Sequence, residues 1–286
     1  MQMHGIAVPI TEIMGTLLSI NLLQRIVVAV LGIPLLLWIN REGGILFFLL
    51  VLLLSLLATV EFYRLAEHKA HPSPLWLVLP WTVLIQVNFY IGIADTAELL
   101  LLMVLFLFVL ELFDKEGSPL LNLGSLLTGL LYVNLCFGSL LRLRLSLHDG
   151  RGEAFVLLLL VCVWSADIFA YFGGSTLGGK LIHRKLFERL SPHKTWEGFL
   201  SGFFGSLAAS MVFARFVPDV SDSAALITGA LIGLGSPAGD LIESMFKRDA
   251  GVKDSSGLIP GHGGVLDRFD TVMFVSPFIY LIITYL

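Results

Sequence analysis

Charge is what this sequence most lacks. Only 14% of its 286 residues are Asp, Glu, Lys or Arg, while 56% are hydrophobic. A soluble domain of this length carries nearly twice that charged fraction, so a soluble globular class is excluded and an integral membrane protein is left. Cysteine is almost as scarce. Cys136 and Cys162 both lie inside apolar runs, which excludes a disulfide framework and a thiolate metal quartet. No Lys or Arg precedes Arg25, so the first 21 residues lack the basic n-region of a secretory signal peptide, and an interfacial arm is expected there. No repeat of fixed period and no long Ser/Gly- or Pro-rich linker divides the chain. The net charge of −4 decides little, because the position of charge matters more than its sum, and no nucleic-acid partner is expected.

What is present is apolar length. A spanning helix needs about 20 largely apolar residues. Such stretches fall near 22–40, 44–62, 75–94, 97–113, 119–141, 154–172, 198–217, 223–240 and 269–286. The expectation is an all-α polytopic membrane protein of about nine spans with a cytoplasm-facing polar cavity. The short link at Ala94-Asp95-Thr96 makes 75–113 a tight helical hairpin. If the N-terminus is cytoplasmic, 13 of the 18 Lys and Arg residues fall inside. That bias favours N-terminus in and C-terminus out. The charge-rich loops 173–197 and 241–268 then face the cytoplasm together, which suits a phosphorylated, water-soluble substrate.

The remaining charge is concentrated. The 31 residues from Asp240 to Asp270 hold ten of the chain's 40 charged residues. Mixed charge between apolar spans is costly unless it faces a wet cavity and acts there. Asp240, Glu243, Ser244 and Lys247 recur at i, i+3, i+4 and i+7, on one helical face. Gly257, Gly261, Gly263 and Gly264 surround Pro260 and His262; glycines at this density let backbone N–H groups approach an anion, although a Gly-rich loop alone is weak evidence. Asp267 and Asp270 then share a face at the start of the last span. Asp240 and Asp267, at the ends of successive spans, make a hard-oxygen pair suited to Mg²⁺. The competing reading pairs each with Arg248 or Arg268 in a structural ion pair. His262 is either an acid/base group or a donor to phosphate.

The other charge-rich loop adds candidates. Asp167 lies inside an apolar span and should face the bundle interior, as a working acid or as a hydrogen-bonded packing residue. Gly174-x4-Gly179-Lys180 resembles a P-loop, but Leu181 replaces the needed Ser/Thr and no strand precedes it, so that reading is rejected. In Lys180 to Pro192, Ile182, Leu186 and Leu190 form an apolar stripe opposite basic residues, predicting a helix on an anionic membrane surface. Ser191-Pro-His-Lys194-Thr-Trp-Glu197-Gly198 follows, with Lys194 and Glu197 at the membrane boundary.

Taken in order, Ser244-Met-Phe-Lys247-Arg248, then Lys253-Asp254, Pro260-Gly-His262-Gly263-Gly264 and Asp267-Arg268-Phe-Asp270 resemble the signature of phosphatidate cytidylyltransferases, with no departure across the motif. Ser191-Pro-x-Lys194-Thr-Trp-Glu197-Gly198 and Asp167 also resemble family features. The specific likeness covers roughly 165–270. It implies transfer from CTP to phosphatidic acid, giving CDP-diacylglycerol and pyrophosphate, by a protein that is often a homodimer and whose partners are CTP, phosphatidic acid and membrane lipids. The compact chain with no evident sorting signal points to a bacterial inner membrane, with an organelle membrane as the alternative. The resemblance also implies Mg²⁺, with a second cation such as K⁺, on Asp240 and Asp267. Lys247, Arg248, Lys253 and Arg268 would hold phosphates, with Lys194 near the lipid phosphate. Asp254, Asp270 and Glu197 would orient these cations or bind metal through water. Residues 1–150 are expected to form a multi-span hydrophobic region and 151–286 the catalytic one. An enzyme for another lipid or isoprenoid phosphate and a transporter are the alternatives; broken helices and inverted repeats, the mark of the latter, are not evident.

Overall fold

The computed structural model describes residues 10–145, 151–259, 261 and 263–285. Among the described residues the fold is nearly all helical. In chain order the helices are α1 (Ile10–Glu42), α2 (Gly44–Ala66), α3 (Leu75–Ile91), α4 (Thr96–Phe113), α5 (Pro119–Leu145), α6 (Arg151–Leu177), α7 (Trp196–Phe216), α8 (Asp222–Asp249) and α9 (Leu266–Tyr285). Each coincides with one apolar stretch of the sequence. Seven are long and apolar enough to cross a membrane, α1 through its part Gln24–Glu42, whereas α3 has only 17 residues.

Local chemistry sets the ends. Gly92 closes α3 with φ 67°, and the Asp95 carboxylate accepts from Ala97 N at 2.8 Å to open α4, so the expected tight hairpin forms. Thr195 and Ser221 cap α7 and α8 in the same way, accepting from Gly198 N and Ala224 N.

The segment between α6 and α7 departs from the expected surface helix. Lys185–Phe187 (β1) pairs antiparallel with Ser191–Thr195 (β2). The Glu197 carboxylate accepts from Leu181 N and Ile182 N at 3.0 and 2.8 Å, which fixes the approach to the hairpin in a non-helical path. Gly179 at φ 74° breaks the chain just before it, and Pro192 lacks the N–H a helix would need. The helical stripe is therefore not formed: Ile182 precedes the hairpin, Leu186 lies in β1 and Leu190 in the turn.

Packing brings the later helices unusually close. A Cβ on Gly202 of α7 would lie 2.8 Å from the Ala166 carbonyl oxygen of α6, and one on Gly239 of α8 would lie 2.8 Å from the Asp270 carbonyl oxygen of α9. Such small-residue contacts replace the hydrophobic drive that lipid cannot supply. Polar side chains join the earlier helices: Thr59 and Thr82 hydroxyls lie 3.2 Å apart, and Gln86 Nε2 donates to the Asn134 carbonyl oxygen at 3.0 Å. Outward-facing leucines and phenylalanines remain exposed along the spans, as in Leu31, Leu120 and Phe216.

The two ends of the bundle are distinct. At one end, Arg144 Nε donates to the Asn40 carbonyl oxygen at 2.7 Å and Asn40 Nδ2 to the Glu153 carbonyl oxygen at 3.1 Å, joining α1, α5 and α6. The opposite end gathers the last turns of α2, α6 and α8 and the first turns of α7 and α9. Arg25 of α1 reaches it too, donating from Nε to the Gly261 carbonyl oxygen at 2.9 Å.

Candidate functional site

α8 does not stop near 240. It continues to Asp249, so the face predicted from spacing is carried on one rigid rod. The bare Gly239 lets α9 approach, and this brings the carboxylates of Asp240, Glu243 and Asp270 together, one oxygen of each within 4.8 Å of the others. Lys194 of β2 reaches in, its Nζ 2.6 Å from Asp240 Oδ2, and Ser244 Oγ donates to Asp240 Oδ1 at 3.2 Å. One turn away, Ser236 Oγ donates to Asp167 Oδ1 at 3.4 Å. Asp167, Lys194, Ser236 and Asp240 line a cavity of about 480 Å³, with Leu186 and Phe199 among its apolar walls. Asp167 is thus exposed to that cavity rather than packed as a buried acid.

Behind the cluster lies a buried ion-pair set. Lys247 Nζ stands 3.0 Å from Glu243 Oε2 and 2.6 Å from Asp267 Oδ1. The other Asp267 oxygen, Oδ2, accepts from Ser255 N at 3.0 Å and from Gly264 N at 2.8 Å, and Ser255 Oγ lies 2.9 Å away. A second carboxylate enters from the far half of the chain. Glu61 of α2, 2% exposed, accepts from Ser256 Oγ at 2.6 Å, Val265 N at 2.9 Å and Leu266 N at 2.8 Å, with Ser255 Oγ at 3.0 Å.

This changes the reading of the Gly-rich loop. The amides of Ser255, Gly264, Val265 and Leu266 do form an anion cradle, but the protein's own carboxylates fill it. The glycines serve tight geometry: Gly261 and Gly263 have φ 73° and 85°, and a Cβ on Gly264 would sit 2.5 Å from Glu61 Oε2.

The other candidates divide. Arg248, exposed, donates from Nη1 to the Val252 carbonyl oxygen at 3.0 Å and braces the turn after α8. Lys253, Asp254 and Arg268 are exposed on the same loop and first turn. Glu197 is buried and holds the 181–182 backbone. His262 lies outside the described residues. Asp270, not Asp267, stands beside Asp240, because Asp267 faces Lys247 and the loop.

A hard cation fits the triad of Asp240, Glu243 and Asp270. All three offer carboxylate oxygens, and Glu243 Oε1 is buried with no hydrogen-bond partner. A buried acceptor left unpaired is costly, and a cation would satisfy it. The geometry combines this acidic group, a lysine-bearing wall and a cavity with apolar sides.

Comparison with known proteins decides the lineage. The model of the cytidylyltransferase family matches residues 23–286. The chain belongs to that family. The chain is 32% identical over 271 residues to a phosphatidate cytidylyltransferase of Bacillus subtilis, covering 92% of this chain and 98% of that one. It is 34% identical over 293 residues to one of Synechocystis, covering 92% and 97%. A Haemophilus influenzae phosphatidate cytidylyltransferase is 45% identical over 146 residues, 48% of this chain and 49% of that one. The protein is accordingly a nucleotidyltransferase, with seven candidate spans among its described residues. Two of its site residues escaped the sequence reading. Glu61 is the lone acid in α2, and the rule that singled out Asp167 applies to it equally. Glu243 was placed on the polar face, but its nearness to Asp270 depends on how α8 and α9 pack.

Proposed function

We propose that the protein transfers CMP from CTP to phosphatidic acid, releasing pyrophosphate and forming CDP-diacylglycerol. The observation that carries this reading is that Asp240 both lines, with Lys194, a cavity with polar and apolar walls between membrane-spanning helices and joins Glu243 and Asp270 in a group of three carboxylates beside it. A lipid phosphate and a nucleotide triphosphate need such a boundary, one partner from the bilayer and one from water.

Chemically, a phosphate oxygen of phosphatidate forms a bond to the α-phosphorus of CTP. The bond from that phosphorus to the β-bridging oxygen breaks, and its electron pair leaves with pyrophosphate. The nucleophile is already anionic, so no strong general base is needed. The obstacle is anion meeting anion, which positive charge must offset. Asp240, Glu243 and Asp270 would hold Mg²⁺, with a second cation such as K⁺; an ion there supplies charge neutralisation for the triphosphate. Lys194 faces the cavity and binds the lipid phosphate. Arg248, Lys253 and Arg268, exposed around the loop, bind the phosphates of CTP, and Asp254 and His262 orient them. Lys247 is buried between two carboxylates, so its part is to hold Asp267 and Glu243 in place. Asp267 organises the loop that carries these cations, in place of the metal role first expected of it.

Nine spans with the N-terminus and site facing the cytoplasm accord with the basic-residue bias, and with a homodimer in the bacterial inner membrane. Residues 151–286 form the catalytic region; residues 1–150 support it, through Glu61 at least. The test is pyrophosphate release, with CMP incorporated into lipid, by purified protein given CTP, phosphatidic acid and Mg²⁺. Release requiring all three is expected. A folded protein that releases none, or prefers an isoprenoid phosphate, would overturn the assignment.

A further inference from the structure

Glu61 is not part of the motif that carries the proposed chemistry, and it comes from the opposite half of the chain. Its contacts with Ser255 and Ser256 bridge 194 and 195 positions of sequence. It is 2% exposed. Around its two oxygens converge Ser255 Oγ, Ser256 Oγ, Val265 N and Leu266 N, all at 2.6–3.0 Å. Two of these donors are the amides at the start of α9. A helix N-terminus presents unpaired N–H groups and partial positive charge, which is where an anion binds. Here the anion is supplied internally.

We propose that Glu61 is a positioning residue: its carboxylate fills the anion cradle at the start of α9 and thereby fixes the segment bearing Asp267 and Asp270 against α8. Only a carboxylate suits the place. It is acceptor-only, so it can face three donors and the hydroxyl it shares with Asp267 without turning an N–H toward any of them, whereas an amide cannot. Aspartate keeps the charge but shortens the reach by one carbon. Gly264 obeys the same constraint, since any Cβ there would strike Ser255 Oγ and approach Glu61 Oε2 to 2.5 Å. Asp267 binds the same loop from the other side, through Ser255 N and Gly264 N. The loop is thus clamped between two carboxylates, one from α9 itself and one from α2.

The effect on turnover rests on the reaction proposed above; the effect on the loop does not. The experiment uses the full chain, purified, as wild type, Glu61→Gln and Ser256→Ala. Amide hydrogen exchange is read over residues 250–267 and over α6 as a control. Kinetics are read with CTP and phosphatidic acid. In Glu61→Gln, exchange should rise at least about tenfold at Ser255, Gly264, Val265 and Leu266, with α6 unchanged. Turnover should fall about 100-fold, because small displacements of reacting groups are expensive. The KM for phosphatidic acid should stay within about threefold, since Lys194 lies on β2, outside the loosened loop. Ser256→Ala, which removes one donor and keeps the carboxylate, should lie between wild type and Glu61→Gln in both readouts. It also carries the test if Glu61→Gln fails to fold. Wild-type exchange in the loop overturns the proposal, as does a loss that scales only with the amount of folded protein. Altered exchange in a protein whose wild type transfers no CMP would leave the clamp standing and sink the proposed reaction instead.

Discussion

Lys194 Nζ lies 2.6 Å from Asp240 Oδ2, tying the hairpin between α6 and α7 to the acidic face of α8. The pair lines the cavity, so its lysine is placed to meet an anion arriving from the bilayer. Lys194→Met should lower kcat/KM for phosphatidate about 100-fold, the scale for losing one preorganised charge-stabilising donor. Lys194→Arg should recover part of that loss. Steady-state assays varying the mole fraction of phosphatidate check this; an unchanged kcat/KM would remove Lys194 from the site.

Lys247 presents a different case, because it is buried between Glu243 and Asp267, with side-chain exposures of 11%, 7% and 8%. Removing one partner from such a set leaves uncompensated charge, which costs about 3–5 kcal/mol. Lys247→Met should therefore lower the unfolding temperature in detergent sharply, by contrast with Lys253→Met on the exposed loop. Restoring balance in the double variant Lys247→Met/Glu243→Gln should recover part of the loss. Thermal unfolding followed by intrinsic fluorescence reads both, and equal melting of the Lys247 and Lys253 variants would contradict the buried arrangement.

The approach of α8 to α9 depends on a missing methyl group. A Cβ at position 239 would lie 2.8 Å from the Asp270 carbonyl oxygen and 2.9 Å from Thr271 Cα. Both are backbone atoms, so the helices must part. Gly239→Ala should destabilise the protein by about 1–3 kcal/mol and depress activity further than the stability loss explains, because Asp240 and Asp270 separate. Activity per folded molecule is the deciding measurement.

Much of this was legible in the sequence, for a physical reason. Lipid demands long apolar helices with their backbone bonds satisfied internally, so hydropathy alone located the nine helices of the described residues within a few residues at most boundaries, seven of them long and apolar enough to span. The charged face of α8 followed from helical spacing. What depends on tertiary packing was not legible. The segment 180–192 has a helical stripe, yet the Glu197 carboxylate captures its leading amides and a hairpin results. Asp267 and Asp270 share a helix face in the sequence, but which one meets Asp240 is settled by the depth of α9 against α8. The Gly-rich loop read as a cradle for a ligand's phosphate, because Glu61, nearly two hundred residues away, was invisible as its occupant.

That distinction between Asp267 and Asp270 yields the sharpest test of the metal assignment. Asp240, Glu243 and Asp270 bring their oxygens within 4.8 Å of one another, while Asp267 is occupied by Lys247, Ser255 and Gly264. Chelator should abolish turnover and added Mg²⁺ restore it. Asp270→Asn should raise the Mg²⁺ concentration for half-maximal activity by about 10- to 100-fold, since a hard cation loses one of few charged ligands. Asp267→Asn should instead lower activity and melting temperature together, at every Mg²⁺ concentration, because it removes an acceptor from the loop rather than a ligand from the ion. Titrations of both variants separate the two roles. If the Mg²⁺ requirement moves with Asp267 and not with Asp270, the ion sits between α8 and the first turn of α9, and the buried lysine must give way when it binds.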